Sequence, residues 1–211
     1  MTSSQDLFAE IADERRQFAD LLAGLSPEQL ATPSLCGSWT VQEVGGHLIM
    51  PMVTPAPKVL ATIVVKRSFD RANESLSRRV GRRPAAEIAA TLRQRATSRF
   101  TPPGHGPTAP LTDLLIHGQD VRRPLGISRE FSELRLRAAL DFLASPKARI
   151  GFVSPKKIAG LRFVATDLDW TAGDGATVEG PGEALLMAYT GRRAGLADLR
   201  GEGVATLRER L

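Results

Sequence analysis

The sequence of 211 residues contains one cysteine, Cys36. No disulfide can close within the chain, so a fold held together by disulfides is excluded. It also has no long uninterrupted apolar run. The most apolar stretch, LIMPMVTPAPKVLATIVV (48–65), holds three prolines and Lys58, which suits a kinked or interrupted helix better than a membrane span. The opening MTSSQDLFAEIADERRQ turns charged within ten residues; without a basic region leading into an apolar core, a cytoplasmic protein with no membrane partner is expected. There is no internal repeat and no low-complexity tract. The charge excess is small, +5 from 28 basic and 23 acidic residues, enough to attract anions but not to mark a nucleic-acid binder. The arginines of SRRVGRRP (77–84) read as an exposed connection around Gly81 and Pro84, with neither interleaved aromatics nor a helix-turn-helix signature, so no nucleic-acid partner is expected. What is present, 42% hydrophobic and 24% charged residues, belongs to a folded soluble chain.

Apolar spacing divides the chain into two kinds of segment. Leu7, Phe8, Ile11, Phe18, Leu21, Leu22 and Leu25 recur at three and four residues, which predicts an amphipathic helix over 4–25. A polar linker with Pro27 and Pro33 follows. Thr40 and Glu43 stand in the S/T-x-x-E arrangement, with Trp39 placed to pack on Val44, and a second helix is expected from residue 40. A third runs from Pro84 to Phe100 with Ile88, Leu92 and Ala96 inward, TPPGHGPTAP (101–110) is a loop, and a fourth runs over 111–122. Beyond residue 126 the pattern changes: a helix over 129–145, a strand over 160–175 ending in a glycine turn, TVEG as a short partner strand, then helices over 182–191 and at the C-terminus. The expected fold is α+β, a four-helix bundle over 1–125 followed by a small α/β domain over 126–211.

The chemistry concentrates in two helices. In LTDLLIHGQD (111–120), Asp113 precedes His117 by one helical turn, so carboxylate and imidazole share a face. In the second helix His47 lies three residues after Val44 and also faces inward. Two imidazoles and a carboxylate from facing helices make a three-ligand metal site with positions left open for water or substrate. The same letters also suit hydrogen-bonded core histidines and an acid favoured in a helix's first turn, and spacing alone leaves both readings standing. Asp120, one turn past His117, is placed to orient that imidazole or to pair with Arg122 or Arg123. Cys36 reads as small apolar packing and His105 as a solvated loop residue.

GSWTVQEVGGHL (37–48) together with LTDLLIHGQDVRRPLG (111–126) resembles the mycothiol-dependent maleylpyruvate isomerase family, part of the DinB-like metal-binding helical bundles, and residues 161–192 are similar to that family's small C-terminal domain. The resemblance implies that His47, Asp113 and His117 ligate a divalent metal, usually zinc, although the ligand set alone would equally suit iron, nickel or cobalt. It implies mycothiol as a thiol cofactor and a small electrophile as substrate, the enzyme being an isomerase or a thiol S-transferase. It also points to a functional arginine near the C-terminus, with Arg192 and Arg193 of YTGRRAG as the candidates. The chain departs from the characterised isomerase type in one ligand, having Asp113 where that type has glutamate, one methylene longer. A catalytically silent binder of metal or small thiol on the same fold is the other function class.

Overall fold

The computed structural model describes residues 4–211. They form a mostly helical chain with a three-stranded sheet near the C-terminus, the expected α+β class. Helices α1 (Ser4–Gly24), α2 (Pro27–Ala31), α3 (Val41–Val53), α4 (Ala56–Lys66), α5 (Phe69–Gly81), α6 (Ala85–Gln94) and α7 (Thr108–Arg122) precede α8 (Glu133–Ala144) and the four-residue α9 (Pro155–Ile158). Strands β1 (Leu161–Ala165), β2 (Thr171–Ala172) and β3 (Ala176–Gly180) then lead to α10 (Gly182–Tyr189) and α11 (Gly203–Arg210). The chain divides into two compact units, one of Phe8–Phe100 and Asp120–Ile127, the other centred on Thr101–Gln119 and Ser128–Leu211.

In the first unit, α3 begins as its sequence predicts. Thr40 Oγ1 accepts from the Glu43 backbone N–H at 3.2 Å, and Glu43 Oε2 accepts from the Thr40 N–H at 2.9 Å, so two free donors of the first turn are satisfied reciprocally. The apolar stretch from residue 48 is indeed interrupted. Pro51 has no N–H to continue the helical ladder, α3 stops at Val53, and α4 restarts after Pro55. The chief departure is α5: residues 69–81 form a helix where none is expected, with Ala72, Leu76, Ser77 and Val80 buried. The segment escapes detection because its apolar residues are few and its inner face is closed by small ones. Arg78 and Arg79 are consequently helical while Arg82 and Arg83 follow the helix end, and Arg78 is tied to Glu43 at 3.2 Å and to Ser38 rather than lying in an exposed connection.

The crossing of α3 and α5 is backbone on backbone. A Cβ at Gly46 would collide with the backbone of Gly81 and lie 2.8 Å from the Ser77 carbonyl oxygen. Below this crossing the core is filled by Ile11, Phe18, Leu22, Val44, Ile49, Ile88 and Leu92. Arg15 is buried with them; its guanidinium donates to the carbonyls of Ala96 at 2.8 Å and Ser98 at 2.7 Å, terminating α6 earlier than residue 100. Desolvation pulls its pKa down from the usual arginine value to about 10.

In the second unit α7 begins at Thr108 rather than 111, since Pro110 falls in the first turn, where its missing N–H costs nothing. The expected single strand over 160–175 is two strands. Ala165 donates to the Trp170 carbonyl at 2.9 Å, so the chain turns over 166–169 and returns as β2. β1 is central, antiparallel to β2 and parallel to β3, with Phe163 facing Ala172 on one side and Val178 on the other. Gly175 takes φ +117, and a Cβ there would strike the Gly160 backbone, so only glycine closes this turn. Trp170 Nε1 donates to Asp141 at 2.9 Å, fastening the hairpin to α8. His105 also differs from its expected solvated state. It is half-buried beside Phe142 and Phe152, with Nδ1 3.0 Å from the Pro103 carbonyl and Nε2 3.2 Å from that of Ile150.

Candidate metal centre

On α7, Asp113 and His117 lie one turn apart, with Asp113 Oδ1 3.4 Å from His117 Nε2. The imidazole is buried and the carboxylate about one-third exposed. The separation is informative. A direct charge-assisted hydrogen bond between such groups closes to about 2.7–2.9 Å, whereas two ligands on one tetrahedral zinc, each about 2.0–2.2 Å from it, stand roughly 3.3–3.5 Å apart. The separation fits two ligands of one ion, and it is also within ion-pair reach, as at Arg78–Glu74, 3.3 Å.

On α3, His47 is half-buried, its ring 5.0 Å from that of Trp39. Its Nδ1 lies 3.2 Å from Ser77 Oγ on α5. When Nδ1–H donates to Ser77 Oγ, the lone pair resides on Nε2, the tautomer a metal ligand needs. Sequence reasoning missed Ser77 because it missed the helix that carries it; the only signal was a small polar residue four before Gly81. A Ser77→Ala variant is expected to lower zinc affinity about 10–100-fold, read by competition with a chelating dye. Ser77→Thr, which keeps the hydroxyl, should recover most of it.

Asp113 and His117 are the potential metal ligands that stand together within one unit, and His47 and Cys36 lie in the other. Asp120 is fully buried and Arg122 nearly so, and both are engaged with partners. Arg192 is half-buried and donates to the Thr190 carbonyl at 2.9 Å; Arg193 is exposed and donates to the Arg208 carbonyl at 3.1 Å.

Residues 11–100 match the family model described as the mycothiol maleylpyruvate isomerase N-terminal domain. The match covers less than half of the chain. Two solved structures share the fold across almost all of the chain. One is of a histidine-to-alanine mutant of the mycothiol-dependent maleylpyruvate isomerase, with a TM-score of 0.60, 12% identity, and 95% of this chain and 93% of that chain covered. The other is of the same isomerase without the mutation, with a TM-score of 0.56, 12% identity and the same coverage. No curated protein matches the chain significantly. At this identity the structural match speaks for the fold. Helix α3, with His47 near its middle, lies within the residues that match the family model.

Proposed function

We propose that the chain is a metal- and mycothiol-dependent enzyme that activates a thiol for addition to a small electrophile, as an isomerase of the maleylpyruvate type or as a thiol S-transferase. His47, Asp113 and His117 would hold a divalent metal, zinc by preference, with 1–125 carrying the site and 126–211 forming the smaller domain. The observation that carries this reading is the 3.4 Å separation of Asp113 Oδ1 and His117 Nε2, supported by the match of residues 11–100 to the mycothiol isomerase domain. Two neutral nitrogens and one carboxylate oxygen fit zinc and leave a coordination position open.

A divalent cation bound there lowers the pKa of an adjacent thiol and so supplies a nucleophile at neutral pH. The side chains have separable tasks. Ser77 holds His47 in the tautomer that presents Nε2, Asp113 offsets cationic charge, and burial of His117 keeps competing water away from its donor nitrogen. Arg192 and Arg193 are the candidates for pairing with a substrate or cofactor carboxylate.

One observation favours the silent-binder alternative: both arginines already donate to main-chain carbonyls. The two readings separate in one experiment. Purified protein given zinc and mycothiol should consume maleylpyruvate or a haloaromatic electrophile, faster than the same mixture without protein. Stoichiometric zinc with no turnover across such a panel would assign the chain to metal or thiol binding instead.

A further inference from the structure

Helix α4, APKVLATIVVK, has no buried residue. Leu60, Val64 and Val65 are 63%, 76% and 77% exposed, and Phe69, the first residue of α5, is 61% exposed. At 100° per residue, Pro57, Leu60, Ala61, Val64 and Val65 share one half of the helix, while the half-buried Val59 and Ile63 share the other. α4 is therefore apolar almost all round, the pattern of a helix that something covers. Leu60, Val64, Val65 and the adjoining Phe69 present on the order of 400 Å² of apolar surface, a size at which such patches mark interaction sites.

Charge indicates the occupant. Residues 54–83 hold eight basic and two acidic residues, a net +6, whereas the whole chain is +5. Outside this segment the chain is slightly acidic. Both acid–base pairings of the segment involve Arg78, which meets Glu74 within it and Glu43 outside it; its other seven basic residues form no ion pair among the described residues. Three of those seven, Lys58, Arg79 and Arg83, surround a cavity of about 170 Å³ that Val53, Leu76 and Val80 also line. A second copy of the chain would bring another +6 segment against this one, and a nucleic acid would leave Leu60, Val64, Val65 and Phe69 in water. An anionic bilayer surface meets both requirements at once, apolar below and negative at the headgroups.

We propose that α4 and the start of α5 form a peripheral docking face for an anionic phospholipid surface. Leu60, Val64, Val65 and Phe69 enter the boundary between headgroups and acyl chains, while Lys58, Arg79 and Arg83 receive headgroup phosphates. Lys58, at the margin of the exposed half of α4, is long enough to keep its ammonium group at headgroup level. No helix of the described residues is long and apolar enough to cross a membrane, and a surface contact needs none.

Co-sedimentation of the full chain with lipid vesicles tests this. Vesicles of phosphatidylcholine with phosphatidylglycerol should bring the protein down, vesicles of phosphatidylcholine alone should not, and added salt should release it. Val64→Asp should weaken partitioning about tenfold or more, and Lys58→Glu with Arg79→Glu should do the same while circular dichroism and Tm stay at wild-type values. Equal sedimentation with both vesicle types, or unaltered binding of Val64→Asp, overturns the proposal. So does a dimer in light scattering that Val64→Asp dissolves, which would make the face a contact between copies, and so does a salt-sensitive shift of duplex DNA without vesicle binding.

Discussion

Replacing His117 with alanine is expected to lower zinc affinity more than about 100-fold and to abolish thiol-dependent turnover, with calorimetry and elemental analysis of the purified variant as the readouts. The effect is large because His117 is the buried nitrogen donor of the proposed ligand set, and water is a poor replacement for a buried imidazole. Two further variants test the rest of the set. His47→Ala should lose the metal and Cys36→Ala should keep it if the centre is His47, Asp113 and His117. The reverse pattern would sink the proposed assignment. Asp113→Glu should retain zinc, because it restores the acid of the characterised isomerase type, whereas Asp113→Asn removes the only anionic ligand of the proposed set.

The second large effect is structural. Gly46→Ala should destabilise the protein by about 3 kcal/mol, the upper end of what overpacking costs, because the added methyl meets the backbone of Gly81 and the Ser77 carbonyl rather than a movable side chain. For a chain of this length that corresponds to a Tm lower by roughly 6–12 °C, measured by thermal unfolding at 222 nm. Gly45→Ala supplies the contrast, since its methyl meets chiefly Leu22 Cδ1 at 2.7 Å, the tip of a flexible side chain, and should lower Tm far less. The two glycines are adjacent in sequence yet face different neighbours. Separating α3 from α5 would also lengthen the Ser77–His47 hydrogen bond, so Gly46→Ala should weaken zinc binding beyond its effect on folding.

The local placement of the candidate residues was readable in the letters. The capping box at Thr40 and Glu43 places the start of α3, and with it the inward phase of His47, because local backbone satisfaction needs only residues within one turn. The four-residue interval of Asp113 and His117 places two donors on one face by helical geometry alone. Less readable were elements whose stability is not local. α5 carries few large apolar residues and is held by Gly46, Gly81 and the Arg78–Glu43 pair, none of which leaves a periodic trace. The division of 160–175 into β1 and β2 depends on a turn whose closure is visible only in the Ala165–Trp170 bond.

By itself the sequence determined the start of α3, the α+β class and the donor types available for a metal, since capping, periodicity and side-chain chemistry all act within a few residues. Tertiary structure decided that Ser77 backs His47, that α3 and α5 meet at glycine, and that α4 is left apolar and uncovered. Those outcomes depend on which surfaces approach one another across tens of residues, and no short-range pattern encodes that distance.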